Sequence, residues 1–529
     1  MEMGYLVVFL ILFLSPISCS TSTLVEKRFR KCISTQVYGN SESLEKITFS
    51  SSSSLYPQVL DSLEQNPRWL NSSRKPLLIL RPIHELEIQS TILCSKQLGL
   101  QVRVRSGGHD YEGLSYLSKA PFVMVDLINI NSIHINLSNE TAWVQAGASL
   151  GELYYKISKA SKVHGFPGGL CPSIGLGGHI SGGGFGTLLR KHGIAADHVV
   201  DAYLIDANGK IHDRKSMGED VFWAIRGGSA TSYGVIVAWK IKLVRVPPIV
   251  TGFNIQKTMH EGATKLIHRW QYIAHEFHED LFIRILAQNS GDNSKTFKAT
   301  FNSLFLGGID KLIPLMNESF PELGLQAKDC TEMSWIQSVL FFAGFNKQDP
   351  LELLLNRTTT YKSPFKAKSD FVKEPIPETG LEGAWKMLLA EDTLALMIMD
   401  PYGGKMNGIS ESEIPFPHRK GNLYNIQYMV KWDVNSIEAS KRHVKWMKML
   451  YRYMTPYVTK SPRATYFNYK DLDLGQNKHD NTSYSEASVW GNKYFKGNFK
   501  RLAQIKTKFD PQNFFRNEQS IPLINSFPS

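Results

Sequence analysis

The chain has 529 residues, 42% hydrophobic and 20% charged, with 40 Gly and 24 Pro. These proportions belong to a globular protein, which excludes disordered and collagen-like classes, and the length calls for two or more domains. The formal charge of +12 contains no block of five or six basic residues, so it speaks for solubility and attraction to an acidic matrix, and against nucleic acid.

Leu6 to Leu14 is an apolar run followed by Pro16 and Ser18-Cys19-Ser20, the pattern of a signal peptide over residues 1–20. Beyond it no apolar stretch reaches about 18 residues, so no membrane span is expected. An exported chain meets an oxidising compartment, where Cys32, Cys94, Cys171 and Cys330 allow three pairings. We expect Cys32–Cys94, which would staple the N-terminal segment to the first domain, and read Cys330 as a buried small hydrophobe. Acceptor sites for glycosylation at Asn71, Asn136, Asn139, Asn317, Asn356 and Asn481 agree with the secretory pathway, ending in the cell wall, the extracellular space or the vacuole.

In chain order, Lys75–Pro82 reads as a short strand, His84–Leu98 as a helix, and Val102–Arg105, Phe122–Leu127 and Ala142–Ala146 as strands. Ser149–Ala160 reads as a helix with one apolar face, and Trp239–Val244 as a strand before the boundary Pro247-Pro248. From 249 to 460 helical stretches (Ala263–His278, Leu381–Leu389) alternate with strand-like runs (Leu281–Leu286, Leu394–Met399), as in a second α+β domain. The tail, 461–529, with an amphipathic helix near Tyr494–Ile505, is too short to fold alone and should pack back on the first domain.

Glycine is densest from Gly165 to Gly186. The stretch lacks the Gly-Lys-Ser/Thr of a P-loop, and Ile180 stands where the Rossmann spacing from Gly175 needs glycine. Such a run still lets backbone N–H groups approach a large anionic ligand. His275-Glu-Phe-His278 lacks the spacing of a zinc helix, so we read it as a solvated helix face and expect no metal.

The segments Arg103–Tyr116 and Gly168–His179 resemble the berberine bridge enzyme-like family of FAD-linked oxidases, whose relatives include plant cannabinoid-acid synthases and O-acetylstemmadenine oxidase. The resemblance continues through Met217–Gly228, Asn468–Gly475 and Asp510–Pro522. It implies an α+β, two-domain fold of the vanillyl-alcohol-oxidase type. Residues 21–248 would bind FAD, 249–460 would form a substrate-binding domain with an antiparallel sheet and helices, and 461–529 would pack on the FAD domain. It implies FAD held by two covalent bonds, through His109 and Cys171, since imidazole and thiolate suit attack on an electron-poor ring. Arg105, Ser106, Gly107 and Gly108 would turn around the pyrophosphate, with the Arg105 charge facing it. Tyr111, Ser115, Gly147, Ser149, Ile174, Gly177, Gly178, His179, Val235 and Asn468 would lie near FAD. One departure is Gly227-Gly-Ser-Ala-Thr-Ser-Tyr-Gly234, where the family often has a longer glycine run.

Berberine bridge enzyme itself carries a glutamate base where this chain has Gln427, and an amide takes no proton near neutral pH. The base then falls to Tyr469, with Tyr111 and Tyr466 as alternates, helped by a cation such as Lys470 or a lysine of the substrate domain. In the family the residue three after the flavin cysteine gates oxygen, with Val admitting it and Leu blocking it; here it is Ile174. The resemblance implies a monomeric oxidase passing hydride from a plant metabolite, an alkaloid by preference, to FAD, with O₂ as acceptor giving H₂O₂. A carbohydrate or monolignol oxidoreductase, or a dehydrogenase slow with O₂, is the alternative.

Overall fold

The computed structural model describes residues 17–37, 41–290, 296–358 and 362–524. Apart from the backbone of 17–20, the expected signal segment lies outside the described residues. Four sheets organise the chain. The first runs in the order Thr48–Ser50, Leu78–Leu80, Phe122–Asp126, Gln101–Arg105, and its last three strands are parallel. Leu78–Leu80 and Phe122–Asp126 are buried on both faces, which is why they read as unbroken apolar runs. Cys32 and Cys94 form a disulfide, as expected, joining helix Ile17–Val37 to helix Glu85–Gln97. A five-stranded antiparallel sheet follows (133–136, 141–145, 235–242, 199–205, 211–212), with a two-stranded ribbon of 164–165 and 244–245.

The seven-stranded sheet is antiparallel, in the order 330–333, 250–258, 297–305, 281–289, 395–401, 424–431, 365–372. Alternation gives it two faces. Ile283, Ile285, Met397, Met399, Ile426, Tyr428 and Val430 are buried in one core with Trp270, Trp385 and Leu450 of helices Ala263–Ile273, Glu378–Ala390 and Ile437–Tyr453. The alternate residues Arg284, Ile398, Asp400, Gln427, Met429 and Lys431 line a cavity. No helix among the described residues is long and apolar enough to cross a membrane.

Three local expectations are corrected. Helix Ala263–Ile273 stops before the His275–His278 stretch, because the carbonyls of His275, Phe277 and His278 accept from the buried Arg190 guanidinium instead of continuing the helix. That stretch is thus a turn bolted to Arg190 of helix Leu189–His192, not a helix face, although Glu276 and His278 are exposed. The tail carries two helices, Tyr484–Phe495 and Asn498–Phe509, where one was expected near Tyr494–Ile505. Lys496 breaks the run at φ 46°, and Phe499 folds back onto Gly491, where a Cβ would come within 2.2 Å of its ring. Both helices share an apolar core with Phe222 and Trp223 of helix Arg214–Ile225. Cys330 is half-buried at a sheet edge, not enclosed.

A buried ionic cluster ties the tail to the seven-stranded sheet. Lys366 reaches Glu112 and, at 2.8 Å, Asp471, while Lys368 meets Asp471 and, at 3.1 Å, Asp473. Removing one partner of such a set leaves a buried charge uncompensated. The cluster fixes Glu112 and Asp471, and with them their neighbours Tyr111 and Tyr469.

Candidate active site

Strand Gln101–Arg105 ends in Ser106-Gly107-Gly108-His109, and this turn lies backbone to backbone against Gly175. A Cβ on Gly107 would stand 2.3 Å from the Gly175 nitrogen, and one on Gly175 2.2 Å from the Gly107 nitrogen. Only glycine permits that approach, and Gly108, at φ 74°, also needs its conformational freedom. The contact brings two motifs far apart in sequence to one place. Ser173 Oγ lies 3.1 Å from His109 Nε2 and 3.3 Å from Cys171 Sγ, so one hydroxyl bridges imidazole and thiol. Burial, helped by the Arg105 charge, lowers the His109 pKa to about 4, which keeps the ring neutral with a lone pair available.

In front of this pair opens a cavity of about 510 Å³, walled by the segments 106–111, 169–179 and 466–470 and roofed by the seven-stranded sheet. Three tyrosines meet in it. Tyr111 and Tyr469 stack with ring centroids 5.7 Å apart, and Tyr466 meets Tyr469 edge-on at 4.9 Å. Their hydroxyls are used differently. Gln427 Nε2 donates to the Tyr111 oxygen at 2.5 Å, and the Tyr466 oxygen accepts from Gly184 N and Asn468 Nδ2, both at 2.8 Å. Tyr469 makes no hydrogen bond through its hydroxyl among the described residues, and its ring lines the cavity. Burial, then Tyr111 and Asp400, push its pKa well above 10 against the opposing charge of Arg284. Lys470 is not its cation: that ammonium sits over the Phe467 ring, 3.2 Å from the centroid, and burial lowers its pKa to about 7.

A profile for the FAD binding domain matches residues 76–214, and one described as berberine and berberine-like matches 465–522. The chain is 55% identical over 527 residues to berberine bridge enzyme-like 22 of Arabidopsis thaliana, covering 98% of this chain and 99% of that protein. The chain belongs to the berberine bridge enzyme-like family. Tetrahydroberberine oxidase of Berberis wilsoniae is 50% identical over 520 residues, 97% of each chain. Among solved structures, wild-type Phl p 4.0202, a glucose dehydrogenase, superposes with a TM-score of 0.87 at 47% identity, covering 94% of this chain and all of that one. An isoleucine-to-valine variant of Phl p 4 is a glucose oxidase. As a member, the chain is an FAD-linked oxidoreductase with the two-domain α+β fold of the family.

The cavity's chemistry fits FAD. Arg103 Nε, Ser115 Oγ and Arg516 Nε are buried donors without acceptors, all from cavity-lining residues, and Lys470 makes no ion pair or hydrogen bond through its ammonium among the described residues. Unpaired donors on one wall suit a ligand with anionic oxygens. Ser106, Gly107, Gly108, His109, Tyr111, Ser115, Cys171, Ile174, Gly177, Gly178, His179, Tyr466, Asn468 and Tyr469 all line the cavity. Four expected residues do not. Arg105 turns its guanidinium to Asp126, 2.9 Å away, and to the carbonyls of Leu63, Ser106 and Gly107, so it braces the turn from behind. The Gly147 carbonyl accepts from Arg357, Ser149 caps helix Leu150–Ala160, and Val235 is fully buried. In the altered glycine run Ser229 adopts φ 71° and lines the cavity with Ala230 and Thr231, the Ala230 N–H donating to Ser181 Oγ. Sequence reasoning missed Ser173 and the roof residues Arg284 and Asp400; the two-residue period of strand Leu281–Asn289 was the one signal that could have pointed to Arg284.

Proposed function

We propose that this chain carries FAD on His109 and Cys171 and uses Tyr469 as the proton acceptor in oxidising a small metabolite at a C–H bond next to oxygen or nitrogen. The observation that carries the attachment is the Ser173 bridge, which holds a neutral imidazole and a thiol side by side at one cavity. Bound FAD supplies the hydride acceptor. Tyr469 is the cavity tyrosine whose hydroxyl makes no hydrogen bond among the described residues, while the oxygens of Tyr111 and Tyr466 accept from Gln427 and Asn468. Stacking on Tyr111 fixes the Tyr469 ring, and substrate entering beneath the roof excludes water from the proton transfer.

The relative that oxidises tetrahydroberberine supports the alkaloid expectation. A polar roof of Arg284, Asp400, Gln427 and Lys431 favours a second reading, a carbohydrate. O₂ is the proposed acceptor, with Ile174 restraining its access beside Cys171 as an intermediate between Val and Leu. The disulfide supports passage through an oxidising, secretory compartment. Domain limits of 21–248, 249–460 and 461–529 go with this reading.

Acid denaturation followed by separation from small molecules tests the attachment. The yellow colour should stay with the wild-type chain and with His109→Ala, and leave the double variant His109→Ala/Cys171→Ala. Colour released from wild type would refute it.

A further inference from the structure

Ser173 stands between the two residues proposed to carry the flavin, and what it does for them depends on which way its hydrogen bonds run. The side chain is buried, with Oγ 3.1 Å from His109 Nε2 and 3.3 Å from Cys171 Sγ. The other ring nitrogen, His109 Nδ1, makes no hydrogen bond among the described residues, and the residue lines the cavity. With its pKa lowered to about 4 the imidazole is neutral, so one nitrogen carries the proton and the other the lone pair. Only the tautomer with its proton on Nε2 leaves a lone pair on Nδ1, the nitrogen open to a ligand.

A hydroxyl has one proton to give, so the chain of bonds has two possible directions. Run from sulfur to ring, the thiol donates to Ser173 Oγ, the hydroxyl donates to Nε2, and the ring proton is forced onto Nδ1. Run from ring to sulfur, Nε2–H donates to Ser173 Oγ, the hydroxyl donates to Cys171 Sγ, and Nδ1 keeps its lone pair. An ionised sulfur only accepts, and therefore fixes the second direction. Two neighbours favour that state. Burial and then the Arg105 charge lower the His109 pKa, and the Ser173 carbonyl, which only accepts, opposes them by favouring a ring N–H turned toward Ser173. Lys431 on the roof supplies a cation within range of the sulfur: burial lowers its pKa, and the Cys171 charge raises it. His179 does not stand in for His109, since its Nε2 accepts from Gly169 N at 3.0 Å.

We propose that Ser173 is a positioning residue that couples the two attachments: through its hydroxyl, the Cys171 thiolate holds His109 in the tautomer whose Nδ1 bonds to the flavin. This rests on the covalent-flavin reading above and adds how one bond depends on the other. Each bond replaces one N–H or S–H of the protein and one C–H of the flavin, and the two hydrogens leave with O₂, the oxidant, as H₂O₂. Without the hydroxyl the imidazole is free to take the unreactive tautomer and the thiolate loses a donor, so both bonds slow.

The test follows attachment rather than turnover. Chains harvested soon after induction are held in air with excess FAD, sampled over hours, denatured in acid and digested, and mass spectrometry counts flavin on the His109 and Cys171 peptides separately. Flavin content and thermal midpoint check that each variant folds. Ser173→Ala should bind FAD but form both bonds about 10–100-fold more slowly, the worth of one hydrogen bond to a charged group. Ser173→Thr, which keeps the hydroxyl, should recover the wild-type rates. In a Cys171→Ala background, adding Ser173→Ala should slow the His109 bond far less than it does in wild type, because the thiolate that aligned the hydroxyl is already gone. A Ser173→Ala chain that gains both bonds at wild-type rates overturns the proposal. So does one that loses only the Cys171 bond, or an equal slowing of the His109 bond with and without Cys171. Wild type with no flavin on either peptide overturns the attachment reading and this one together, whereas a failure confined to the variants overturns this one alone.

Discussion

Replacing Tyr469 by phenylalanine tests the chemistry most directly, because this hydroxyl has no hydrogen-bond partner to lose among the described residues. Tyr466→Phe would strand the Gly184 N–H and the Asn468 amide, and Tyr111→Phe would strand the Gln427 amide, at about 1–3 kcal/mol for each buried donor. Tyr469→Phe removes no hydrogen bond among the described residues and keeps the ring against Tyr111 and Tyr466, so its thermal midpoint and flavin spectrum should match wild type. Flavin reduction should slow by about 10²–10⁴-fold, the usual worth of a general base. The pH profile adds a signature. The Tyr469 pKa is raised well above 10, so the phenolate is the minor form throughout the ordinary range and its share grows about tenfold with each pH unit. The limiting rate of reduction in wild type should therefore climb with pH and show no plateau below about pH 10. Stopped-flow reduction under anaerobic conditions, at saturating substrate from pH 5 to 10, measures this. Tyr469→Phe should flatten the slope. A wild-type plateau near neutral pH that survives in Tyr469→Phe would refute the reasoning and move the base to Asp400, whose carboxyl burial raises above its usual range.

Two further outcomes follow from the same geometry. Ile174→Val widens the cavity wall beside Cys171 by one methylene and should speed reoxidation by O₂ about tenfold, roughly 1.4 kcal/mol of barrier; unchanged reoxidation in oxygen-jump stopped flow would remove Ile174 as the gate. Cys32→Ser/Cys94→Ser opens a link spanning 62 residues and should cost about 4 kcal/mol of stability by loop entropy, read as a lower urea midpoint with a steeper slope, since the freed denatured chain exposes more surface; an unshifted midpoint would mean that the core around Phe29 and Ile33 holds that helix unaided.

The floor of the site was legible in the sequence because its chemistry is local. Glycines that must touch, a histidine and a cysteine sit within two short segments, and each segment specifies its own turn. The roof was not legible, because a sheet builds a surface from alternate residues of strands far apart in sequence. Arg284 and Asp400 are 116 residues apart, and the two-residue period of a strand sets the face of its charged residue without showing what that residue meets. Arg105 was misplaced for a related reason. Its motif neighbours line the cavity, but Asp126 on the adjoining strand captures the guanidinium, since a buried arginine pairs with a carboxylate that lies within reach. Gln427 shows both limits together. The resemblance to berberine bridge enzyme implied the loss of a carboxylate there, since an amide does not titrate. What the amide gains is visible only in three dimensions: by donating to the Tyr111 oxygen it anchors that ring, much as Asn468 anchors Tyr466. A glutamate at 427 would accept from Tyr111 and compete for the substrate proton. The glutamine therefore does more than remove one titratable group; it holds the ring that stacks on Tyr469.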